Sequence, residues 1–117
     1  ADGGTRTASI TGAYVAMAGV LGAAPEFSNA ETWPLLGSVA ALSVGIVDGQ
    51  VLVDLNYHED SRADVDMNIV MTGTGEFIEV QGTGERTTFS LDQLQALLAA
   101  ASQGIEQVTR LQQQALV

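Results

Sequence analysis

Between Ala63 and Met71 the sequence alternates strictly: Ala63, Val65, Met67, Ile69 and Met71 fall at one parity, Asp64, Asp66 and Asn68 at the other. Side chains of a β-strand point to opposite faces in turn, so this run predicts a strand with one buried side and one polar side. A helix would scatter the same residues around its circumference. An amphipathic strand needs paired neighbours and a layer over its apolar face, and both are sought in the flanking sequence.

The neighbours lie on either side. The run from Val39 to Val47 is apolar throughout and ends at Asp48-Gly49, the dipeptide that favours a type I′ turn, which predicts a strand buried on both faces and a hairpin into Gln50 to Leu55. After the alternating strand, Thr72 to Gly75 reads as a turn and Glu76 to Gln81 as a further strand, an antiparallel meander overall. Gly82 to Thr88 reads as a loop. Ser90 followed by Gln93 is a capping box, and Leu94, Leu97, Leu98, Ala101, Ile105, Val108 and Leu111 mark the inner face of a long final helix, with Glu106 and Arg110 paired on its outside and Gln112-Gln113-Gln114 expected to fray. At the other end, Ile10, Ala13, Tyr14, Met17, Ala18 and Leu21 have helical spacing, with Gly22 as its stop and Pro25 barring continuation. Residues 23–36, with Pro34 and Trp33, read as a connection. The fold class expected is α+β, a mostly antiparallel sheet with an N-terminal helix and a long C-terminal helix packed on it.

Charge restricts function more than it restricts fold. Fourteen Asp and Glu stand against four Arg and no Lys, a net charge of −10 in 117 residues. Affinity for nucleic acid comes largely from neutralising phosphates, so this composition by itself argues against an RNA-binding surface. The absence of Cys rules out disulfides and thiolate metal sites and permits a reducing compartment. With no apolar run long enough to span a bilayer and no signal-like start, a soluble, cytoplasmic protein without membrane contact is expected. Ala1-Asp2-Gly3-Gly4 reads as a turn entering a helix, which suggests that a segment preceding it is missing.

Two constellations have chemical potential. In Gly3-Gly4-Thr5-Arg6-Thr7 the glycines allow close backbone approach, a helix start offers unpaired N–H groups, Arg6 adds a cation and Thr5, Thr7 and Ser9 add hydroxyls, a combination suited to phosphate. The plain alternative is a glycine turn followed by a Thr cap. A Walker A loop is excluded because it requires Lys, and Gly73-Thr74-Gly75 and Gly82-Thr83-Gly84 lack the context of a dinucleotide fingerprint. The second constellation is Asp60 and Asp66, which share strand parity if the extended chain reaches back to Asp60; such carboxylates suit Mg²⁺, or else form a solvated face with Arg62 as counter-charge. An EF-hand reading of Asp64-Val65-Asp66-Met67-Asn68 fails, since Ile69 stands where its Gly is required and Gly75 where its Glu is. His58 reads as a surface residue, and no catalytic triad can be assembled.

Taken in order, Ala1-Asp2-Gly3-Gly4-Thr5-Arg6-Thr7-Ala8, Gly45-Ile46-Val47-Asp48-Gly49, Asp54-Leu55-Asn56-Tyr57-His58-Glu59-Asp60-Ser61, Ala63-Asp64-Val65-Asp66-Met67-Asn68 and Glu79-Val80-Gln81-Gly82-Thr83 closely resemble the C-terminal half of the ribonuclease PH family. The segment from Leu21 to Pro34 does not contribute to the likeness, and the family's N-terminal half has no counterpart here. The resemblance implies that residues 1–36 are the end of the family's first subdomain and residues 37–117 its second. It also implies a phosphorolytic 3′-to-5′ exoribonuclease, a nucleotidyltransferase that trims tRNA precursor 3′ ends with inorganic phosphate and releases nucleoside diphosphates. By motif, Gly4, Thr5 and Arg6 would hold the phosphate, while Asp60 and Asp66 would be catalytic and would bind Mg²⁺ or Mn²⁺. Hexameric rings and an RNA-binding surface supplied by the absent half are further implications, so this chain alone is expected to be inactive. A non-catalytic ring subunit of the same superfamily and an acidic module that binds divalent metal are the alternatives.

Overall fold

The computed structural model describes residues 2–116. Ala1 of the entry turn and Val117 at the chain's end lie outside them. The elements in order are helix α1 (Thr5–Gly22), a single 3-10 turn (Pro25–Phe27), strands β1 (Val39–Val47) and β2 (Gln50–Val53), helix α2 (Tyr57–Arg62), strands β3 (Val65–Thr72) and β4 (Phe77–Gly84), and helix α3 (Leu91–Ala115). All strand pairings are antiparallel, in the order β2-β1-β3-β4. The α+β architecture expected from the alternation is the one observed.

The alternation sets the layers. Val65, Met67, Ile69 and Met71 lie opposite Ile46, Val44, Leu42 and Ala40 of β1, and these eight side chains meet Leu97, Ala101 and Ile105 of α3 in one buried core. The sheet's other face carries Ser43 and Gly45 of β1, Asp66 and Asn68 of β3, and Gln81 and Thr83 of β4, cross-strand neighbours in the observed register. Helix α1 packs on this second face. A smaller cluster of Val47, Leu55 and Ala63, with Leu52 against it, completes it.

Several local expectations are met. β1 is buried along nearly its whole length, Asp48 and Gly49 both have the positive φ of a type I′ turn, and Ser90 and Gln93 cap α3 reciprocally at 3.1 and 2.8 Å. Glu106 and Arg110 pair at 3.7 Å on the exposed side of α3.

Other expectations are corrected. The sheet is not a meander, because β3 pairs with β1 rather than with β2. The chain leaves β2 at Asp54, which takes a left-handed φ of 59°, and then crosses through α2 to the far side of β1. Ala63 ends α2 instead of beginning β3, so it packs in the smaller cluster rather than the main core. β4 runs on to Gly84, three residues beyond the expected end.

On α1 the buried residues are Thr7 and Ala18, and Met17 is exposed, so the inner face is rotated from the purely apolar stripe. The cause is the short β2. Where it stops, β1 has an open edge, and the Thr11 hydroxyl fills it by accepting from the Ala41 amide at 3.1 Å and donating to the Ala41 carbonyl at 3.2 Å. Gln112 closes the same edge: its Nε2 donates to the Val39 carbonyl at 2.9 Å and the Thr11 carbonyl at 3.1 Å. Gln112 is therefore buried instead of frayed, and Leu111 is 61% exposed, because the residue seven after Ile105, two turns on, is Gln112.

Candidate active site

The chain enters α1 through two glycines with positive φ, 88° at Gly3 and 64° at Gly4. A side chain at Gly3 would stand 2.5 Å from the Leu55 carbonyl, so this turn presses on the segment leading into α2. Asp2 ties the two together, its Oδ1 accepting from the Tyr57 amide at 3.2 Å. Gly4 is the residue before the first helical one and no side chain caps it, so the expected alternative of a Thr cap is not what forms. Instead the Thr7 hydroxyl donates to the Gly4 carbonyl at 3.0 Å, and the amides of the first turn are left without side-chain acceptors.

Asp60 reaches the site differently from the strand-parity expectation. It sits on α2, a six-residue helix started by a capping box in which the Asn56 side chain accepts from the Glu59 amide at 2.9 Å and Glu59 accepts from the Asn56 amide at 3.0 Å. Just before it, the Leu55 amide donates to the buried Ser43 hydroxyl at 3.0 Å. These contacts fix α2 above the sheet face that carries Asp66.

Gly4, Thr5, Arg6 and Thr7 from the start of α1, Ser43 from β1, Asp60 from α2, and Asp66 and Asn68 from β3 line one cleft of about 160 Å³. All five of the sequence-predicted site residues are among them. Burial, the neighbouring Asp60 charge, a hydrogen bond with Asp60 and the charge of Glu85 push the Asp66 carboxyl up to about 6. Arg62, the expected counter-charge, turns away and pairs with Asp48 at 3.1 Å, and His58 is exposed, as expected. Two lining residues escaped sequence reasoning. Ser43 is a lone hydroxyl in an apolar strand. Asn68, whose Nδ2 donates to Gln81 Oε1 at 3.3 Å, was recognised only as the polar parity of β3.

Residues 37–104 match the 3′ exoribonuclease family, domain 2. The chain belongs to that family. It is 57% identical over 116 residues to ribonuclease PH of Corynebacterium glutamicum (strain R), covering 99% of this chain and 47% of that protein. To ribonuclease PH of Bacillus cereus (strain B4264) it is 58% identical over 117 residues, covering 99% of this chain and 48% of that protein. It thus spans about half the length of the curated relatives it matches, as the likeness to a C-terminal half implied. The crystal structure of rice (Oryza sativa) Rrp46 superposes with a TM-score of 0.64 over 93% of this chain and 47% of that one, at 21% identity, which supports the shared 3′ exoribonuclease fold. No helix among the described residues is long and apolar enough to cross a membrane.

Proposed function

We propose that this chain is the C-terminal part of a phosphorolytic 3′-to-5′ exoribonuclease that trims tRNA precursor 3′ ends, releasing nucleoside diphosphates. The observation that carries the reading is the meeting of the Gly4-Thr5-Arg6 turn and the Asp60–Asp66 pair in one cleft, from elements far apart in sequence. In the reaction, an oxygen of inorganic phosphate forms a bond to the terminal phosphorus while the bond to the preceding nucleotide's 3′ oxygen breaks, and that oxygen takes a proton. Phosphoryl transfer depends on positioning and charge neutralisation more than on covalent help. Gly4, Thr5 and Arg6 bind and orient the incoming phosphate with first-turn amides and a guanidinium. With no cation beside it, Asp66 keeps its proton to higher pH than a free Asp, which suits it to protonating the departing 3′ oxygen; holding a cation is the alternative role, in which the carboxylate is ionised.

The same carboxylates fit a divalent ion: they are hard oxygen donors whose mutual repulsion a cation would relieve. Asp60 and Asp66 would hold Mg²⁺ or Mn²⁺, which when bound supplies charge neutralisation at the transferring phosphoryl group. Among the described residues no group of three or more His, Asp or Glu is placed to hold a metal. Two carboxylates with water and substrate completing the shell is a Mg²⁺ arrangement, and it disfavours a dedicated Ca²⁺-binding module. The presence of both aspartates likewise disfavours the non-catalytic ring subunit.

The rest of the parent protein is the natural source of the basic RNA-binding surface that a chain of net charge −10 lacks. Met17 and Val20 on the outer side of α1, 50% and 72% exposed, support contact with that N-terminal half. A division between residues 36 and 37, hexameric assembly and a cytoplasmic location complete the reading, and the family match beginning at residue 37 supports the division. In the full-length protein, Arg6→Ala should raise the phosphate concentration needed for half-maximal rate, while Asp66→Asn should chiefly depress turnover. Equal effects of both substitutions on both parameters would refute the separate roles.

A further inference from the structure

Arg6 is held by a residue outside the cleft. Its guanidinium reaches from the first turn of α1 over β3 to β4, where Nη2 donates to Glu79 Oε1 at 3.0 Å and stands 2.8 Å from Oε2. Glu79 lies across from Val70 in the β3–β4 register, on the same sheet face as Asp66 and Asn68. Arg6 lines the cleft and Glu79 does not. The two side chains are 53% and 38% exposed, yet the Oε2 atom itself is closed off from solvent.

A guanidinium presents five N–H donors in a rigid fork. The Glu79 carboxylate engages Nη2, and among the described residues no hydrogen bond engages Nε or Nη1. Nη2 is anchored to β4, and since Arg6 lines the cleft its remaining donors are available to a ligand there. A long Arg side chain that is free to rotate must be ordered each time phosphate binds; one held in advance need not be. The negative charge of Glu79 works in the other direction, and with Oε2 closed off from solvent it is only partly screened, so the gain from ordering Arg6 has to exceed it, and the sign of the Glu79→Ala effect decides between the two.

We propose that Glu79 is a positioning residue for phosphate binding, acting through Arg6. This inference rests on the assignment of Arg6 to the phosphate cradle.

The test measures phosphate dependence of nucleoside diphosphate release by the full-length protein and its Glu79→Ala, Glu79→Gln, Arg6→Ala and Arg6→Ala/Glu79→Ala variants. Glu79→Ala should raise the phosphate KM roughly three- to tenfold, the range that ordering one long side chain covers, with kcat at saturating phosphate within about twofold. Glu79→Gln keeps an acceptor for Nη2 and should stay within about twofold of the parent KM. In the Arg6→Ala background, Glu79→Ala should change nothing further, because the two residues act as one unit. An unchanged or lowered KM in Glu79→Ala, while Arg6→Ala raises it, would overturn the role of Glu79 alone. An undiminished effect of Glu79→Ala in the Arg6→Ala background would do the same. If Arg6→Ala itself left the phosphate KM unchanged, the cradle assignment would fall and this inference with it.

Discussion

Replacing Gly45 by Ala adds one methyl group at the point where the main sheet supports the site. Gly45 pairs with Asp66 on one side and Leu52 on the other. A Cβ there would stand 2.6 Å from the Val65 carbonyl oxygen and 2.7 Å from Leu55 Cδ1, far inside ordinary contact of about 3.5–4.0 Å. The carbonyl belongs to the neighbouring strand and has little room to retreat. Leu55 is enclosed with Val47 and Ala63, so it can move only outward, taking the start of α2 with it. Overpacking of this kind costs about 1–3 kcal/mol, and a clash with backbone belongs near the upper end. Against a typical total stability of about 5–15 kcal/mol, the variant should still fold. Urea denaturation of this chain followed by circular dichroism should show a lowered midpoint with an unchanged slope. Because α2 carries Asp60, the Asp66 carboxyl should also titrate lower than about 6 in the variant. The same chemical change at Gly12 provides the contrast. No atom lies within 4 Å of a Cβ there, in the middle of α1, and relief of the glycine penalty should stabilise the chain by about 0.5–1 kcal/mol. A Gly45→Ala chain within about 0.5 kcal/mol of the parent would refute the packing argument, as would a destabilised Gly12→Ala chain.

Two further outcomes follow from buried polar contacts and one from charge. Gln112→Ala removes the donor to the Val39 and Thr11 carbonyls and should cost about 1–3 kcal/mol by chemical denaturation; a neutral effect would mean that water closes the β1 edge equally well. Ser43→Ala leaves the buried Leu55 amide without its acceptor and should cost about 1–2 kcal/mol, measured in the same way. For Asp66 the folded value is raised from 3.8 to about 6, so its contribution to stability is fully present below 3.8 and is lost as pH rises through about 6. Asp66→Asn should remove that loss, and urea midpoints between pH 4 and pH 7 that fall equally in both chains would contradict it.

The sequence was most informative where a single period governed a whole element. The alternation of β3, the apolar run of β1, the Asp48-Gly49 turn and the Ser90–Gln93 cap are each short-range signals, and each forms as read, save that β3 begins at Val65 rather than Ala63. Strand order was not legible in the same way, since it depends on a four-residue β2 and a six-residue α2 that direct the chain across β1. A signal for α2 was present in Asn56 and Glu59, whose reciprocal cap marks a helix start just where an extended chain was assumed. Reading it would have placed Asp60 on a helix, and it is this helix that brings the residue beside Asp66, since six residues along one strand would separate the two by about 20 Å. Ser43, Thr11 and Gln112 were beyond reach because their partners are backbone groups distant in sequence, exposed only by the shortness of β2. The five site residues stood out in the sequence as two separate constellations, to which the family likeness gave roles, and what the fold contributes is their convergence on one cleft.

The most direct test of the proposed chemistry supplies the full-length protein with a tRNA precursor bearing 3′ extra nucleotides, Mg²⁺ and radiolabelled inorganic phosphate, and identifies the released nucleotide. Labelled nucleoside 5′-diphosphates, formed only when phosphate is present and absent when this chain is assayed alone, are the predicted result. Nucleoside monophosphates released at the same rate without phosphate would show hydrolysis and would contradict the assignment of Gly4, Thr5 and Arg6 as the cradle of an attacking phosphate.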